Sequence, residues 1–410
     1  MRIQIALTGR VNAGKSTLLN LISGQESAIT SAERGTTTDI VEKAMELRPL
    51  GAVLLLDTAG IDDTSVLGAE RRSRTAKAVD RADCMVIVTT PGVWGEYERE
   101  LLEKAKSRKI PALTVINKAD TAEISSSFRE LIAAECGSLP LEVSAFCENG
   151  REEFLRSFTS LLLKLLPDDA LQPPPLLRDL LPEGSLVVMM TPIDIQAPRG
   201  RLILPQVQAI RDVLDGHSIC VTAREDAFPE IYSRFTALPD LVVCDSQVVS
   251  KMISTLPPGV MCTTFSILFA RQKGDLEQLS LGAAAIASLR PGDRVMIAEA
   301  CTHHASDDDI GRVKIPRLLE KTAGGELDIQ IVSGLNFPED ISGYKLVVHC
   351  GGCMLNRRAM LNRLAELKAN AIPVVNYGVC ISFCSGVLEK VLSPFPGTAE
   401  RFRSELDKHR

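Results

Sequence analysis

A phosphate-binding loop close to the N-terminus restricts the folds open to this chain. Residues 9–16 read G-R-V-N-A-G-K-S, which fits the pattern G-x-x-x-x-G-K-[S/T]. The loop lies between an apolar run at Ile3–Thr8 and a helical stretch at Thr17–Ile22. In this strand–loop–helix context the loop N–H groups surround phosphates, Lys15 neutralises their charge and Ser16 binds Mg²⁺. The motif therefore predicts a nucleotide-binding α/β domain at the start of the chain.

Composition excludes several classes of protein. The 410 residues carry a net charge of −6, only 4% are aromatic, and Trp94 is the single tryptophan. Broad nucleic-acid binding needs a basic footprint and stacking surfaces, so we expect no nucleic-acid partner. No apolar stretch reaches the roughly 20 residues that span a membrane, and no apolar leader opens the sequence, so we expect no membrane partner. Eleven cysteines in such a chain predict a cytoplasmic location, where clustered thiols bind metal more often than they form disulfides.

The order of apolar and helical runs predicts the fold class α/β. Short apolar runs such as Ala52–Leu56, Cys84–Thr89 and Ala112–Ile116 alternate with helical stretches, which is typical of a mostly parallel sheet. The segment from Pro167 to Pro182 contains five prolines, both ends included, and we interpret it as a linker. Strand–helix alternation resumes beyond it. We therefore expect a three-domain chain, with a P-loop domain over residues 1–166, the linker over 167–182, and two smaller α/β domains over 183–264 and 265–410.

Three further motifs follow predicted strands of the first domain and indicate which nucleotide binds. Asp57-Thr-Ala-Gly60 suits a carboxylate that holds Mg²⁺ through water and a glycine amide that faces the γ-phosphate. Asn117-Lys118-Ala-Asp120 supplies a carboxylate that can accept both the N1–H and the exocyclic amine of guanine, a pairing that adenine cannot offer. Ser144-Ala145 follows at a distance suited to closing over the base. Together the motifs predict GTP as the ligand.

In this order, over residues 1 to about 165, the motifs resemble the translation-factor-related GTPases, in particular the Era/TrmE-like group. The resemblance implies that Gly35-Thr-Thr-Thr-Asp39 is switch I and that Thr36 completes the Mg²⁺ shell, with Thr37 as the alternative. It implies a catalytic set of Lys15, Thr36, Thr37, Asp57 and Gly60. The implied GTP-binding set is Gly9, Asn12, Ala13, Gly14, Lys15, Ser16, Thr17, Asp57, Gly60, Asn117, Lys118, Asp120, Ser144 and Ala145.

Two positions in this domain bear on the rate of GTP hydrolysis. Ile61 follows Gly60 at the place where Ras-like proteins have a glutamine that orients the attacking water. An apolar side chain cannot orient water, so we expect slow intrinsic hydrolysis. Relatives with this feature and an asparagine matching Asn12 are activated by K⁺, and the resemblance therefore implies Asn12 as a K⁺ ligand. The alternative is that Asn12 only braces the loop.

Two short Cys/His runs mark a second site. Cys301-Thr-His303 and His349-Cys-Gly-Gly-Cys353 hold three cysteines, and three of the five histidines of the chain lie in or beside them. Each run follows a predicted strand, and open α/β sheets place ligand sites at the carboxyl ends of their strands. Both runs can therefore converge on one metal. The residues alone leave three alternatives, a Cys₃His zinc site, a [4Fe–4S] cluster, or buried uncoordinated cysteines, and the C-x-x-C spacing slightly favours zinc.

A helix is expected directly after the second run. The stretch Met354–Ala369 is amphipathic, with Leu361, Leu364 and Ala365 on one face. Cys353 would then lie at the helix N-terminus, where the helix dipole favours a thiolate.

The pattern C-x-H followed by H-C-G-G-C, downstream of an Era/TrmE-like domain, resembles the [FeFe]-hydrogenase maturation GTPases over the whole chain. The resemblance implies that Cys301, Cys350 and Cys353 hold a [4Fe–4S] cluster, with His303 or His349 as the candidate fourth ligand. It implies a dimerisation domain over 183–264, a cluster domain over 265–410 and a homodimer. The implied role is a scaffold or carrier, which receives a diiron subcluster precursor from radical-SAM maturases and delivers it to apo-[FeFe]-hydrogenase.

A rival interpretation is an RNA- or ribosome-associated GTPase with a zinc-stabilised C-terminal domain. The acidic net charge, the few aromatic residues and the absence of a basic run count against it.

Overall fold

The computed structural model describes residues 2–24, 41–60, 75–76, 78–145, 150–172, 174–192, 202–300, 309–334, 340–352 and 355–409. The chain forms two compact units, Met1–Pro173 and Pro174–Arg410. Their boundary falls within the proline-rich segment, where the fixed φ of proline favours extended backbone. The finer division at residues 264 and 265 stays a prediction.

The first unit is built on a six-stranded sheet in the order β2-β3-β1-β4-β5-β6. All neighbouring strands are parallel except β2, which pairs antiparallel with β3, so the predicted mostly parallel sheet is confirmed. The inner strands β1 and β4 are buried at every residue, as strands covered on both faces must be. The strands are β1 Ile3–Gly9, β2 Val41–Leu47, β3 Gly51–Asp57, β4 Cys84–Thr89, β5 Ala112–Ile116 and β6 Leu141–Glu142.

Helices cover both faces of this sheet. Alternate residues of β1 and β4 join two different apolar clusters, one with Leu18 and Phe158 and the other with Leu101 and Leu102. Because successive strand residues point to opposite faces, the two clusters lie on opposite sides of the sheet. The helices are α1 Lys15–Ser23, α2 Glu96–Ser107, α3 Ser126–Cys136, α4 Arg151–Leu165 and the short α5 Asp168–Leu171.

The second unit contains two four-stranded parallel sheets, in the orders β10-β9-β7-β8 and β12-β11-β13-β14. Side chains from both sheets belong to one continuous buried apolar cluster. The strands are β7 Leu186–Met190, β8 Ile219–Ala223, β9 Leu241–Cys244, β10 Met261–Thr264, β11 Arg294–Glu299, β12 Asp328–Ser333, β13 Leu346–His349 and β14 Val374–Asn376.

The helices of the second unit alternate with these strands, and the helix after β13 differs from its prediction. They are α6 Leu204–Asp215, α7 Phe228–Ile231, α8 Val249–Thr255, α9 Phe265–Lys273, α10 Leu276–Gly282, α11 Ile315–Ala323, α12 Arg357–Ala369, α13 Tyr377–Cys384, α14 Leu388–Val391 and α15 Pro396–His409. Helix α12 begins at Arg357 rather than Met354, because Asn356 caps it by accepting the Ala359 N–H at 3.0 Å. It buries Met360, Arg363, Leu364 and Leu367, whereas Ala365 is exposed.

The longest described helix, α4, has 15 residues. Over the part of the chain that the structure describes, no helix has both the length and the apolar character needed to cross a bilayer.

Candidate functional site

The phosphate-binding loop follows β1 directly and leads into α1. Gly9 and Gly14 adopt left-handed backbone angles, with φ of 146° and 85°, and a β-carbon on Gly9 would overlap the carbonyl oxygen of Val88. Lys15 lies against the loop, where its Nζ donates to the carbonyl oxygens of Gly9 at 3.2 Å and Arg10 at 2.7 Å. Because helix N–H groups and a buried ammonium meet here, the loop suits the phosphates of a nucleotide.

The side chains predicted to hold Mg²⁺ lie together at the ends of β3 and of the loop. The Ser16 hydroxyl donates to Asp57 Oδ2 at 2.5 Å. Burial raises the pKa of Asp57, and the Ser16 hydrogen bond and the Lys15 charge oppose the increase. Among the described atoms, Asp57 Oδ1 is buried without a hydrogen-bond partner. A buried carboxylate oxygen of this kind fits a water molecule of a Mg²⁺ shell.

Gly60 follows Asp57 closely and faces the same loop. A β-carbon on Gly60 would lie 2.5 Å from the Val11 nitrogen and 2.8 Å from its Cα. Only glycine therefore fits this close approach to the loop backbone. The switch I residues Thr36 and Thr37 lie outside the described residues.

Asn117 connects the three nucleotide-binding motifs. Its Nδ2 donates to the carbonyl oxygens of Ala13 at 3.1 Å and Gly14 at 3.3 Å. Its Oδ1 accepts the Lys118 N–H at 2.8 Å and the Ala145 N–H at 3.1 Å. One buried amide thus holds the phosphate loop, the loop after β5 and the Ser144–Ala145 turn in one arrangement.

The side chains predicted to read the base lie on the exposed side of this network. Lys118 Nζ donates to the Asn12 carbonyl oxygen at 2.8 Å, and Asn12 itself is exposed. A hydrogen bond with the Ser144 side chain lowers the pKa of the exposed Asp120. Asp120 therefore stays ionised at neutral pH, as acceptance of two guanine N–H groups requires.

An ion pair within this site was not predicted from the sequence. The Arg10 guanidinium binds Glu98 of α2 through two hydrogen bonds, Nε to Oε1 at 2.7 Å and Nη2 to Oε2 at 2.8 Å. Glu98 also accepts the Gly95 N–H at 2.9 Å, and Arg10 stacks over the Tyr97 ring with its guanidinium carbon 4.9 Å from the centroid. Because Arg10 belongs to the phosphate loop, this pair attaches the loop to α2.

The second candidate site lies where β11 and β13 end side by side. Parallel pairing places Ala298 opposite His349, and the Cys350 N–H donates to the Ala298 carbonyl oxygen at 2.8 Å. The Ala300 N–H donates to Cys350 Sγ at 3.1 Å. Cys350 therefore lies directly beside the residue that precedes Cys301.

His349 is held on both sides of its ring. Its Nδ1 is 2.7 Å from the Cys350 carbonyl oxygen, and its Nε2 is 2.7 Å from Arg363 Nη1. A guanidinium can only donate, so Nε2 accepts and Nδ1 carries the proton. Burial and the Arg363 charge lower the pKa of His349 to about 4, against the opposing bond to Cys350. Binding iron through either nitrogen would require His349 to give up one of these bonds.

A buried lysine binds carbonyl groups on either side of Cys353 in the sequence. Lys273, at the end of α9, is only 3% exposed. Its Nζ donates to the carbonyl oxygens of Gly352 and Leu355, both at 3.2 Å. Gly352 has a left-handed φ of 59°, as the sharp turn before Cys353 requires. Neither Lys273 nor Arg363 was predicted, because charged residues in helical patterns are usually assigned to the solvent side.

The described part of this site fits an iron–sulfur cluster. A cysteine sulfur that accepts a backbone N–H, with buried cations nearby, suits the negative charge of cluster thiolates and sulfides. Of the predicted ligands, Cys350 and His349 are described, whereas Cys301, His303 and Cys353 lie outside the described residues. Within the ranges that the structure describes, no group of three or more Cys, His, Asp or Glu side chains is placed to hold a metal.

Family models match most of the chain in three consecutive segments. The 50S ribosome-binding GTPase model matches residues 4–118, within the unit that carries the phosphate loop. The hydrogen maturase F dimerization domain matches residues 176–274, which include β7–β10. The hydrogen maturase F tetramerization domain matches residues 277–394, which include β11–β14 and the Cys/His runs.

Two curated relatives each match less than half of the chain. The tRNA modification GTPase MnmE of Lachnoclostridium phytofermentans is 34% identical over 166 residues, 40% of this chain and 35% of that protein. MnmE of Myxococcus xanthus is 40% identical over 141 residues, 33% of this chain and 30% of that protein. The chain thus spans about a third of the length of these relatives.

Two solved structures that resemble the chain share little of its sequence. Aquifex aeolicus Era bound to GDP.AlF4- is 17% identical, covers 82% of this chain and 94% of its own, and has a TM-score of 0.36. The bacterial selenocysteine-specific elongation factor EF-Sec is 21% identical, covers 40% of this chain and 29% of its own, and has a TM-score of 0.33.

Proposed function

Because the chain belongs to the hydrogen maturase F family, we propose that it is a GTP-hydrolysing scaffold for [FeFe]-hydrogenase maturation. It binds a [4Fe–4S] cluster and assembles or delivers the diiron subcluster precursor to the apo-hydrogenase. Radical-SAM maturases supply the precursor, and the chain acts in the cytoplasm as a homo-oligomer. The observation that supports the cluster assignment is the contact between Cys350 Sγ and the Ala300 N–H, since it puts Cys350 beside the residue that precedes Cys301.

The first unit would bind and hydrolyse GTP with Mg²⁺. Lys15 and the loop N–H groups hold the phosphates, Ser16 and Asp57 hold the metal together with Thr36, and Asp120 selects guanine. Ile61 cannot orient the attacking water, so hydrolysis is slow. Asn12, exposed beside the loop, supplies a ligand for an activating K⁺. Equal turnover in KCl and NaCl would leave Asn12 as a brace of the loop.

The second unit would hold the cluster through Cys301, Cys350 and Cys353. When bound, the cluster supplies an iron whose fourth position can exchange, and this position is where a precursor could attach. His349 orients the Cys350 carbonyl, Arg363 fixes the His349 ring, and Lys273 holds the carbonyl groups around Cys353. With both nitrogens of His349 engaged, His303 is the better histidine candidate for the exchangeable position.

Anaerobic purification followed by iron, sulfide and zinc analysis, with EPR of the reduced protein, tests the proposal. We expect close to four irons and four sulfides per chain, as in a [4Fe–4S] core. Cys301→Ser should lose the iron and keep its GTP turnover, whereas the matched control Cys220→Ser on β8 should keep both. Stoichiometric zinc without sulfide, unchanged by reconstitution, would reject the cluster. It would favour the zinc-stabilised GTPase, which the 50S ribosome-binding description of the first family model also suggests.

A further inference from the structure

The last three residues of α9, Arg271, Gln272 and Lys273, bind two separate segments of the second unit. We call these residues the α9 triplet. Its first two side chains contact the segment at the start of the unit, and its third contacts the loop of the second cysteine run. No sequence motif marks either contact, and the proposed chemistry uses only the contact made by Lys273.

The first contact holds the end of the proline-rich linker. Arg271 pairs with Asp179 through two hydrogen bonds, one of them Nη1 to Oδ1 at 2.9 Å, and Nη1 also donates to the Leu176 carbonyl oxygen at 3.3 Å. Gln272 Nε2 donates to the Pro174 carbonyl oxygen at 3.0 Å. Pro174 directly follows the last residue of the nucleotide-binding unit. A movement of the linker would therefore affect these hydrogen bonds before others in the second unit.

The second contact holds the cysteine loop. Lys273 Nζ donates to the carbonyl groups of Gly352 and Leu355, which flank Cys353 in the sequence. Arg357 completes the contact in the opposite direction, because its Nη1 donates to the Gln272 carbonyl oxygen at 2.6 Å and to that of Gly274 at 3.1 Å. The loop and the helix end are therefore joined by charge-assisted hydrogen bonds from both sides.

We propose that the α9 triplet couples the nucleotide state of the first unit to the stability of the cluster in the second. This coupling rests on the proposed function and would regulate how firmly the cluster is held. A nucleotide-dependent movement of the linker shifts Arg271 and Gln272. The adjoining Lys273 then weakens or strengthens its hydrogen bonds to the carbonyl groups beside Cys353. GTP and GDP would thereby change how readily iron leaves the site.

The experiment uses the full chain, reconstituted anaerobically with iron and sulfide. The rate of iron release to an excess of a ferrous chelator is measured with a non-hydrolysable GTP analogue and with GDP. In the wild type we expect the two rates to differ by about fivefold or more, a usual size for coupling between sites. Arg271→Gln and Gln272→Leu should retain iron content and GTP turnover but bring the ratio of the two rates close to one. Lys273→Met should speed release in both nucleotide states and remove the difference.

The matched control is Arg401→Gln, which removes an exposed ion pair with Glu277 in the same unit and should keep the wild-type ratio. Gln272→Leu leaves the buried ammonium of Lys273 in place. If Lys273→Met fails to fold, Gln272→Leu therefore still decides the test. Equal rates in the wild type, or wild-type ratios in Arg271→Gln and Gln272→Leu, would overturn the coupling while the cluster and the GTPase activity stand. A wild-type chain without iron and sulfide would instead defeat the proposed function, and the coupling with it.

Discussion

At the scale of single residues, both sites depend on charged side chains that hold neighbouring loops in place. Arg10 and Glu98 attach the phosphate loop to α2, and Arg363 and Lys273 hold the cysteine loop from two sides. The residues that contact ligands follow from sequence motifs, because their spacing is tied to phosphate, Mg²⁺ and guanine chemistry. The residues that support them cannot be predicted from motifs, because they come close to the site only in the folded chain.

Glu98→Gln tests the support of the phosphate loop. Burial alone would raise the pKa of Glu98, but the Arg10 hydrogen bonds and the Gly95 N–H outweigh it and lower the pKa below its ordinary 4.5. A carboxylate with a lowered pKa stabilises the fold above its ordinary pKa and loses this contribution as pH falls through the lowered value. We expect the variant to lose about 1–3 kcal/mol of unfolding free energy at pH 7.

The fluorescence of Trp94, the single tryptophan, reports urea unfolding of the first unit specifically. The difference between wild type and Glu98→Gln should shrink as the pH is lowered below 4.5. Glu100→Gln, which removes an exposed pair with Lys104 on the same helix, should change little. A pH-independent difference would show that the carboxylate charge is not what Arg10 recognises.

His349→Gln tests whether this histidine binds iron. Both of its ring nitrogens already have partners in the described structure, so we expect the variant to keep the iron and sulfide content of the wild type. Cys350→Ser should lose both. Pulsed EPR of the reduced cluster in the wild type should show no strong histidine nitrogen coupling assigned to His349. A coupling that disappears in His349→Gln would instead make it a ligand.

At the scale of elements, the strands with continuous apolar runs were predictable, and an exposed edge strand was not. Strands β1, β4 and β5 lie close to the predicted positions because both of their faces are covered. Strand β2 alternates half-buried and exposed residues at the sheet edge, so no apolar run marks it. Helix α12 was predicted from its leucines, but its buried face includes Arg363 because His349 offers the guanidinium an acceptor.

Strand β8 and helix α6 leave apolar side chains uncovered at one edge of a sheet. Ile219 is 57% exposed on the edge strand, and Leu204, Val207 and Leu214 on α6 are exposed as well. Such a surface is typical of a protein interface, and the dimerization family model covers it. We expect Ile219→Lys to raise the dissociation constant of the proposed homodimer by about tenfold or more in sedimentation experiments, since it would introduce a charge into a contact that dimerisation would desolvate. The control Leu139→Lys, at an exposed position of the first unit, should leave it unchanged.

At the scale of the whole molecule, we expect the second unit to fold without the cluster and to bind it afterwards. Both sheets of the second unit share one apolar core, with many side chains fully buried. The sequence predicted the nucleotide-binding unit well because one motif follows each of several strands. It also predicted the alternation of strands and helices in the second unit, but not the core that the two sheets share, because a shared core leaves no linker or composition change to mark a boundary.

Removal of iron should therefore leave the second unit folded. We expect the apo-protein and Cys301→Ser to keep the far-ultraviolet circular dichroism of the loaded wild type. Their thermal midpoint should fall only because the stabilisation free energy of cluster binding is lost. That free energy is a few kcal/mol at most for a cluster in modest excess of its dissociation constant. A structural zinc site would behave differently, because its removal commonly unfolds the domain that it holds. Loss of secondary structure on chelation would contradict a self-sufficient core.

The hydrogen bond from the residue before Cys301 to the Cys350 sulfur has an evolutionary consequence. Its donor at Ala300 belongs to the main chain, so exchange of the side chain for another of similar size leaves the donor in place. Proline alone removes it, because proline has no N–H. In natural variants of this chain, position 300 would then tolerate many small side chains and select against proline, a pattern of restriction that ordinary measures of residue similarity would overlook.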